Sequence, residues 1–306
     1  MDKIELIKTF VAECLTKRGV YRVEAEMAAK CLIEANQLGE PKLGLSTLPE
    51  HLENLKSGDI DPRALFTKVH ESAGAKVFDA NQGLGHVAGS RAVEELIKLA
   101  QDSAISFVGV KNSQHFGASS IYTSRLAQAG LLGLVTTSTG TAPLAQIFGA
   151  TEPNWSRSKL AYSLPVDEAS YFLMSSSLTD DDGNCFTQMP MVGLFGEAMA
   201  FFTGVLAGPL LGGKAPLHKT RGPQLEQSHH FLMAINPEVL GTTAKYQNQI
   251  QQTIADLKTN SETGEYIAPH LIESKTLFGE LEIDKELRKM LNAISEELKI
   301  PFPEGV

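Results

Sequence analysis

Apolar residues recur at helical spacing over residues 3 to 18, where Leu6, Phe10, Val11, Cys14 and Leu15 share one face, and again over 22 to 38. Leu48 to Leu55 continues the rhythm, and Ser57 and Gly58 end it. Lys68 to Asp79 then alternates as a strand does, and Asn81-Gln-Gly-Leu-Gly85 predicts a sharp turn into a helix over 90 to 102. The β-branched run Ile105 to Val110 predicts a strand, and Ala118 to Ala129 predicts the next helix.

Further strands are expected at Leu132 to Thr137, Lys159 to Pro165, Leu173 to Ser177 and Phe231 to Ile235, the last stopped by Asn236 and Pro237. A Thr/Ser/Gly-rich loop follows the first of these to Ala142, and Asp180 to Gly183 signals a turn. Helices over 242 to 258 and 284 to 298 come last. The most apolar stretch, Met189 to Leu211, is broken by Glu197 and by glycines, so it predicts a buried helix from Phe195 to Leu206 rather than a membrane span. Strands interleaved with helices make this an α/β chain, and no repeat or Pro/Ser-rich linker cuts it into independent domains.

Length and charge narrow the function. A chain of 306 residues can bury a sizeable core. The net charge of −9 and the lack of Lys/Arg clusters argue against a nucleic-acid partner. Cys14, Cys31 and Cys185 are too few and too scattered for a disulfide framework, which points to a reducing cytoplasm. Acidic residues near Met1 stand where an export signal would need a basic and then an apolar stretch, so export is not expected.

The residue with a convincing chemical setting is His115, within Asn112-Ser-Gln-His-Phe-Gly117. It lies between a predicted strand and a predicted helix, on the kind of loop where α/β proteins place chemistry. Gly83-Leu-Gly85-His-Val-Ala-Gly89 has a dinucleotide-motif flavour, but its spacing departs from GxGxxG, and a tight turn needing small residues accounts for it better. His229 and His230 are adjacent, so on a strand they point to opposite faces and cannot share one ion. Asp180 to Asp182 lack the later Glu of a calcium loop, and no metal site is expected. No Gly-x-Ser-x-Gly elbow supports a serine nucleophile.

Several stretches, in order, resemble the malate/L-lactate dehydrogenase family, which includes ureidoglycolate dehydrogenase and cyclic imino-acid reductases. They include Glu34-Ala-Asn36, Leu48-Pro49, Asp79-Ala-Asn-Gln-Gly-Leu-Gly85, Asn112 to Gly117, Gly130-Leu-Leu-Gly-Leu134, Phe148 to Pro153, Leu160 to Pro165 and Phe231 to Glu238. The resemblance implies a mixed α/β fold with a nucleotide-binding domain that is not Rossmann, carried by 1–306 as one unit. Within it, 1–70 plus 240–306 would be the helical, dimer-forming part and 71–239 the cofactor-binding core. It further implies a homodimer that uses NAD or NADP to interconvert small 2-oxo and 2-hydroxy acids or cyclic imino acids. By that likeness His115 is the proton donor and acceptor, a task suited to imidazole because its pKa lies near neutrality. Thr139, Met174, Ser175 and Gly196 fall where the family contacts the nucleotide, and Asn112 belongs to the substrate side.

The chain also departs from the family pattern. Leu43 stands where the family has a histidine, Thr47 and His51 where an Arg and a Tyr grip the substrate carboxylate, and Leu173 where an Asp precedes Met174. Gly193-Leu-Phe-Gly196 replaces Lys-Gly-Tyr-Gly, and Ser156-Arg-Ser-Lys159 replaces Gly-Thr-Asn-Pro. Losing an Arg that forks onto a carboxylate removes a charge-assisted contact, so Lys42, Arg157 or Lys159 is the expected replacement cation. Two functions stay open on the sequence. One is a divergent NAD(P)-dependent oxidoreductase; the other is a family scaffold that has lost hydride transfer and binds a partner or works as a cofactor-free acid/base catalyst.

Overall fold

The computed structural model describes residues 2–139, 146–152, 154–155, 158–168, 170–177, 190–219, 227–259, 270–273 and 281–304. Helices α1 (Lys3–Lys17) and α2 (Arg22–Gln37) form where the helical spacing places them. Two 3-10 turns, Pro41–Leu43 and Leu45–Thr47, lead into α3 (Leu48–Ser57). Gly58 ends α3 in the left-handed region, at φ 88°, a conformation that costs glycine little.

One sheet of eight strands carries the rest. Its members are β1 (Thr67–Ser72), β2 (Ala75–Asp79), β3 (Ile105–Ser113), β4 (Leu132–Ser138), β5 (Ser158–Pro165), β6 (Ser170–Ser177), β7 (Ser228–Ile235) and β8 (Leu271–Glu273). Their order across the sheet is β1-β2-β3-β7-β4-β5-β6-β8. Only β2 and β3 run parallel, joined through α4 (Gly85–Leu99); every other neighbouring pair is antiparallel. This is not the doubly wound parallel sheet of a Rossmann domain. Among the described residues the remaining helices are α5 (Ser119–Gln128), α6 (Pro190–Leu206), α7 (Thr243–Thr259) and α8 (Lys285–Leu298).

Three expectations need correction. Lys68 to Asp79 is a hairpin rather than one strand: β1 and β2 pair in antiparallel fashion around Ala73 and Gly74. Alternation continues through both arms, so a period of two cannot reveal the reversal. The helix expected at 90 begins at Gly85, because the glycines that weaken helix propensity there are used for close packing. A Cβ on Gly89 would lie 2.6 Å from the Tyr122 ring. The helix expected to be buried from Phe195 runs Pro190–Leu206 and is buried on one side only. Ala200 packs with Trp155 and Leu160, while Phe201 and Phe202 are 45% and 56% exposed.

The apolar interior has two main parts. Ile7, Phe10, Leu15, Leu32, Leu48 and Leu52 pack with Leu291, Ile294 and Leu298, so α1, α2 and α3 share a core with α8. On the sheet, Val108, Val110, Val135, Leu232 and Ala234 pack under α4 and α5. Leu134 and Leu160, pointing the other way, meet α6. The two expected free thiols Cys14 and Cys31 are buried, and Cys185 lies outside the described residues. Among the described residues no helix is long and apolar enough to cross a membrane.

Candidate active site

The loop bearing His115 leaves the end of β3 and is clasped by the glycine-rich turn after β2. Asn112 adopts φ 54°, a left-handed conformation that Asn tolerates better than most residues. Its carbonyl accepts from the Gln82 N–H at 2.7 Å, and its side-chain amide donates to Asp79 at 2.7 Å. Gly85 lies directly under the loop: a Cβ there would sit 2.2 Å from the Gln114 carbonyl oxygen and 2.5 Å from the His115 carbonyl. The turn that reads as a dinucleotide motif thus works as a seat for the histidine loop.

Around His115 the chain gathers further imidazoles. His51 on α3 stands with its ring centroid 6.1 Å from that of His115, and His86 on α4 meets His51 edge-on at 4.9 Å. His51 and His86 are 3% and 1% exposed, whereas His115 is half-buried. The His51 Nε2 and both ring nitrogens of His86 are buried without a hydrogen-bond partner. Behind them Phe116 lies flat on His230, at 3.9 Å between centroids, and Tyr122 closes over Phe116. His230 Nδ1 meets the Thr137 hydroxyl at 2.9 Å.

Desolvation holds these rings neutral. Burial lowers His51 to about 4. His115 falls to about 3, from burial first and then from His51 and Lys159 nearby. His86 and His230 are pushed well down for the same main reason. His115 Nδ1 accepts from the Gly117 N–H at 3.3 Å, which assigns the proton of the neutral ring to Nε2.

Lys159 reaches the same side of the sheet. Cross-strand partners project to one face, and the register runs from Val110 through His230 and Thr137 to Lys159. Ser175 pairs with Ala161 two residues along, so it shares that face. Met174 pairs with Tyr162 and points to the α6 side, where its sulfur accepts from the Tyr162 hydroxyl at 2.7 Å. Gly196 is buried within α6. Thr139 follows β4, and its carbonyl, with those of Ser138 and Gln227, receives the buried ammonium of Lys219.

The expected residues therefore divide. Lys159 and Ser175 stand on the His115 side; Asn112 leads into the histidine loop, but its amide is engaged by Asp79 and its N–H by His229, on the other face, and Met174 and Gly196 also stand across the sheet. Lys42 is exposed on the 3-10 turn whose Leu43 carbonyl approaches Gly117. Arg157 lies outside the described residues. His86 escapes sequence reading, and His51 enters it only as the stand-in for a substrate-gripping Tyr, because nothing periodic links positions 51, 86 and 115. His229 and His230 do face opposite ways: the His229 Nδ1 accepts from the Asn112 N–H, while His230 stacks on Phe116. Among the described residues no group of three His, Cys, Asp or Glu can hold a metal ion. A cavity of about 540 Å³ lies elsewhere, beside Gln128, Asp167, Glu238 and Tyr246, and touches none of these site residues.

Comparison with known proteins places this geometry. The family model described as malate/L-lactate dehydrogenase matches residues 3–180. An L-sulfolactate dehydrogenase of Methanocaldococcus jannaschii is 25% identical over 97% of this chain and 96% of its own. A (2R)-3-sulfolactate dehydrogenase (NADP(+)) of Chromohalobacter salexigens is 31% identical over 54% of this chain and 49% of its own. The solved structure of malate dehydrogenase from Pyrococcus horikoshii superposes with a TM-score of 0.82 at 21% identity, covering 96% of this chain and 94% of the other, a likeness of fold.

Proposed function

Because the chain belongs to the malate/L-lactate dehydrogenase family, we propose that it moves hydride between NAD or NADP and a small 2-oxo/2-hydroxy acid or cyclic imino acid, with His115 handling the proton. The observation that carries this reading is the half-buried His115 ring beside Lys159, its Nε2 left as the atom that meets a ligand. The 2-hydroxy acid dehydrogenases among its relatives, one of them NADP-dependent by name, support the substrate class and the cofactor class.

For the nucleotide, the donor set fits in part. Ser175 stands on the histidine side and Thr139 follows the end of β4, while the partnerless Ser138 hydroxyl projects with His229 to the other face. Thr139 and Ser175 would hold the nucleotide on the histidine side, whereas Met174 and Gly196, on the α6 face, would not reach it there. The bound nicotinamide would supply the hydride chemistry.

The chain's own residues handle charge and proton. Lys159 would hold the substrate carboxylate, a charge-assisted contact that replaces the missing Arg; Lys42 and Arg157 are the other cations, and Asn112 the further substrate-side residue, that the family likeness offers. In reduction, His115 Nε2–H donates to the carbonyl oxygen. Complete transfer needs a second proton on the ring, since a neutral imidazole that gave up its only proton would become an anion. The Gly117 contact at 3.3 Å is at the long end of hydrogen bonding and opposes protonation of Nδ1 only weakly. In oxidation, Nε2 can take the hydroxyl proton only after the ring has passed its own proton to solvent and gained one at Nδ1, giving up the Gly117 N–H contact there. A cytoplasmic homodimer is part of this reading, by family likeness.

The test begins with NADH and NADPH binding at millimolar concentration, followed by fluorescence or calorimetry. Binding of one, with turnover of a 2-oxo acid or cyclic imine that His115→Ala abolishes while nucleotide affinity persists, is the expected result. If neither nucleotide binds, the hydride reading is removed.

A further inference from the structure

His51 and His86 are anomalous as core residues. Each buries an imidazole nitrogen without a partner, at a cost of about 1–3 kcal/mol per group, and apolar rings of similar shape would avoid that cost. Their placement gives the reason. A Cβ on Gly117 would lie 2.7 Å from His86 Nε2, so the His86 ring occupies the space beside Gly117 that any side chain at 117 would take. Gly117, at φ 78°, is the residue whose N–H reaches His115 Nδ1. His51 fills the gap between the two, edge-on to His86 at 4.9 Å and tilted against His115 at 6.1 Å.

The charged and titratable groups that bear on His115 or on the rings around it are His51 from α3, His86 and its neighbour Arg125 from α4 and α5, Lys159 from β5, His229 and His230 from β7, and Lys219 from the segment before β7. All are basic. No carboxylate among them favours an imidazolium.

We propose that His51 and His86 are positioning residues for His115: they brace its ring and its Gly117 support so that the free site presents an uncharged imidazole with its proton on Nε2. His115 then greets a ligand as a hydrogen-bond donor, and becomes a cation only when an anionic ligand brings the missing negative charge. Such a device suits a small acid carrying a carbonyl group, and disfavours a cationic ligand. It rests on the role proposed for His115, but its signature is read on the ring itself and needs no turnover.

The experiment is side-chain ¹⁵N NMR of the full chain, with His115→Gln used to assign the resonance, between pH 5 and 8. The expected spectrum keeps His115 as the neutral Nε2–H form throughout. His51→Phe and His86→Phe, which retain a ring but not its nitrogens, are expected to let His115 titrate within that range or populate the Nδ1–H form. Adding oxamate, an unreactive anion with a carbonyl group, is expected to shift the wild-type ring toward the charged form. Wild-type His115 that titrates near its ordinary value, or a spectrum that neither variant changes, overturns the proposal. Should His86→Phe fail to fold, His51→Phe alone decides. Loss of nucleotide binding with this spectrum intact would remove the hydride reading and leave the brace standing.

Discussion

Arg125 on α5 donates to the buried carboxylate of Glu34 on α2 at 2.7 Å, and its guanidinium also reaches the Ser90 hydroxyl and the Cys31 sulfur. Three helices are pinned by one side chain. Glu34 is 4% exposed, so Arg125→Met leaves a buried carboxylate whose remaining cation is the exposed Lys30 at 3.6 Å. A loss of about 3–5 kcal/mol is expected in urea unfolding at neutral pH. Arg125→Met combined with Glu34→Leu is expected to recover most of it. A single-variant loss under about 1 kcal/mol would show that the pair is solvated.

Gly85 supports the histidine loop by having no side chain. Gly85→Ala drives a methyl into the main chain at Gln114 and His115, neither of which is the yielding end of a flexible side chain. Overpacking of this kind costs about 1–3 kcal/mol. Turnover is expected to fall at least tenfold beyond what the stability loss explains, with nucleotide affinity nearly unchanged. Thermal unfolding and steady-state kinetics on one preparation separate the two effects.

Acid should loosen this protein through its imidazoles. His51 and His115 are neutral in the fold, at about 4 and about 3, while the unfolded chain titrates near the ordinary 6.5. The unfolded state therefore binds more protons as pH falls below 6.5, and stability drops from there toward pH 4. His51 alone accounts for about 1 kcal/mol per pH unit in that window. His51→Phe is expected to flatten the slope; an unchanged slope between pH 6.5 and 4.5 would locate the acid sensitivity elsewhere.

Lys159→Met should weaken the acid substrate. Removing a charge-assisted contact of about 1.5–3 kcal/mol predicts a roughly tenfold to hundredfold fall in kcat/KM, seen mainly in KM. The same change takes a positive charge from beside His115, so the imidazole should protonate more readily. A pH-rate profile that moves alkaline in the variant would confirm that proximity, whereas unaltered KM would assign the carboxylate to another cation.

How far the fold was readable depends on the range of the interactions. α1, α2 and α3 follow from spacing within a few residues, because each buries one stripe against a common core. The hairpin of β1 and β2 did not, since alternation has the same form on both sides of a reversal. His115 was legible from its loop between strand and helix. Its companions were not: His51 and His86 gain meaning only when α3 and α4 pack, and Gly85 reads as a turn until the loop it supports is in place. Glu34 and Asn36 lie in a stretch that resembles the family, but only contacts explain them. One holds Arg125, and the other accepts from the Leu45 N–H at 2.7 Å to fasten the 3-10 turn near Lys42.

All three imidazoles of the brace, with the glycines that seat them, fall between residues 51 and 117. The later strands supply Lys159 and Ser175 to the same face and Met174 to the opposite one. On the proposed reading, the acid–base residues come from an earlier length of chain than Lys159 and Ser175. Exchanging the later segment for a relative's is expected to change the ligand and, through Lys159, the protonation of His115, while keeping the three-ring brace.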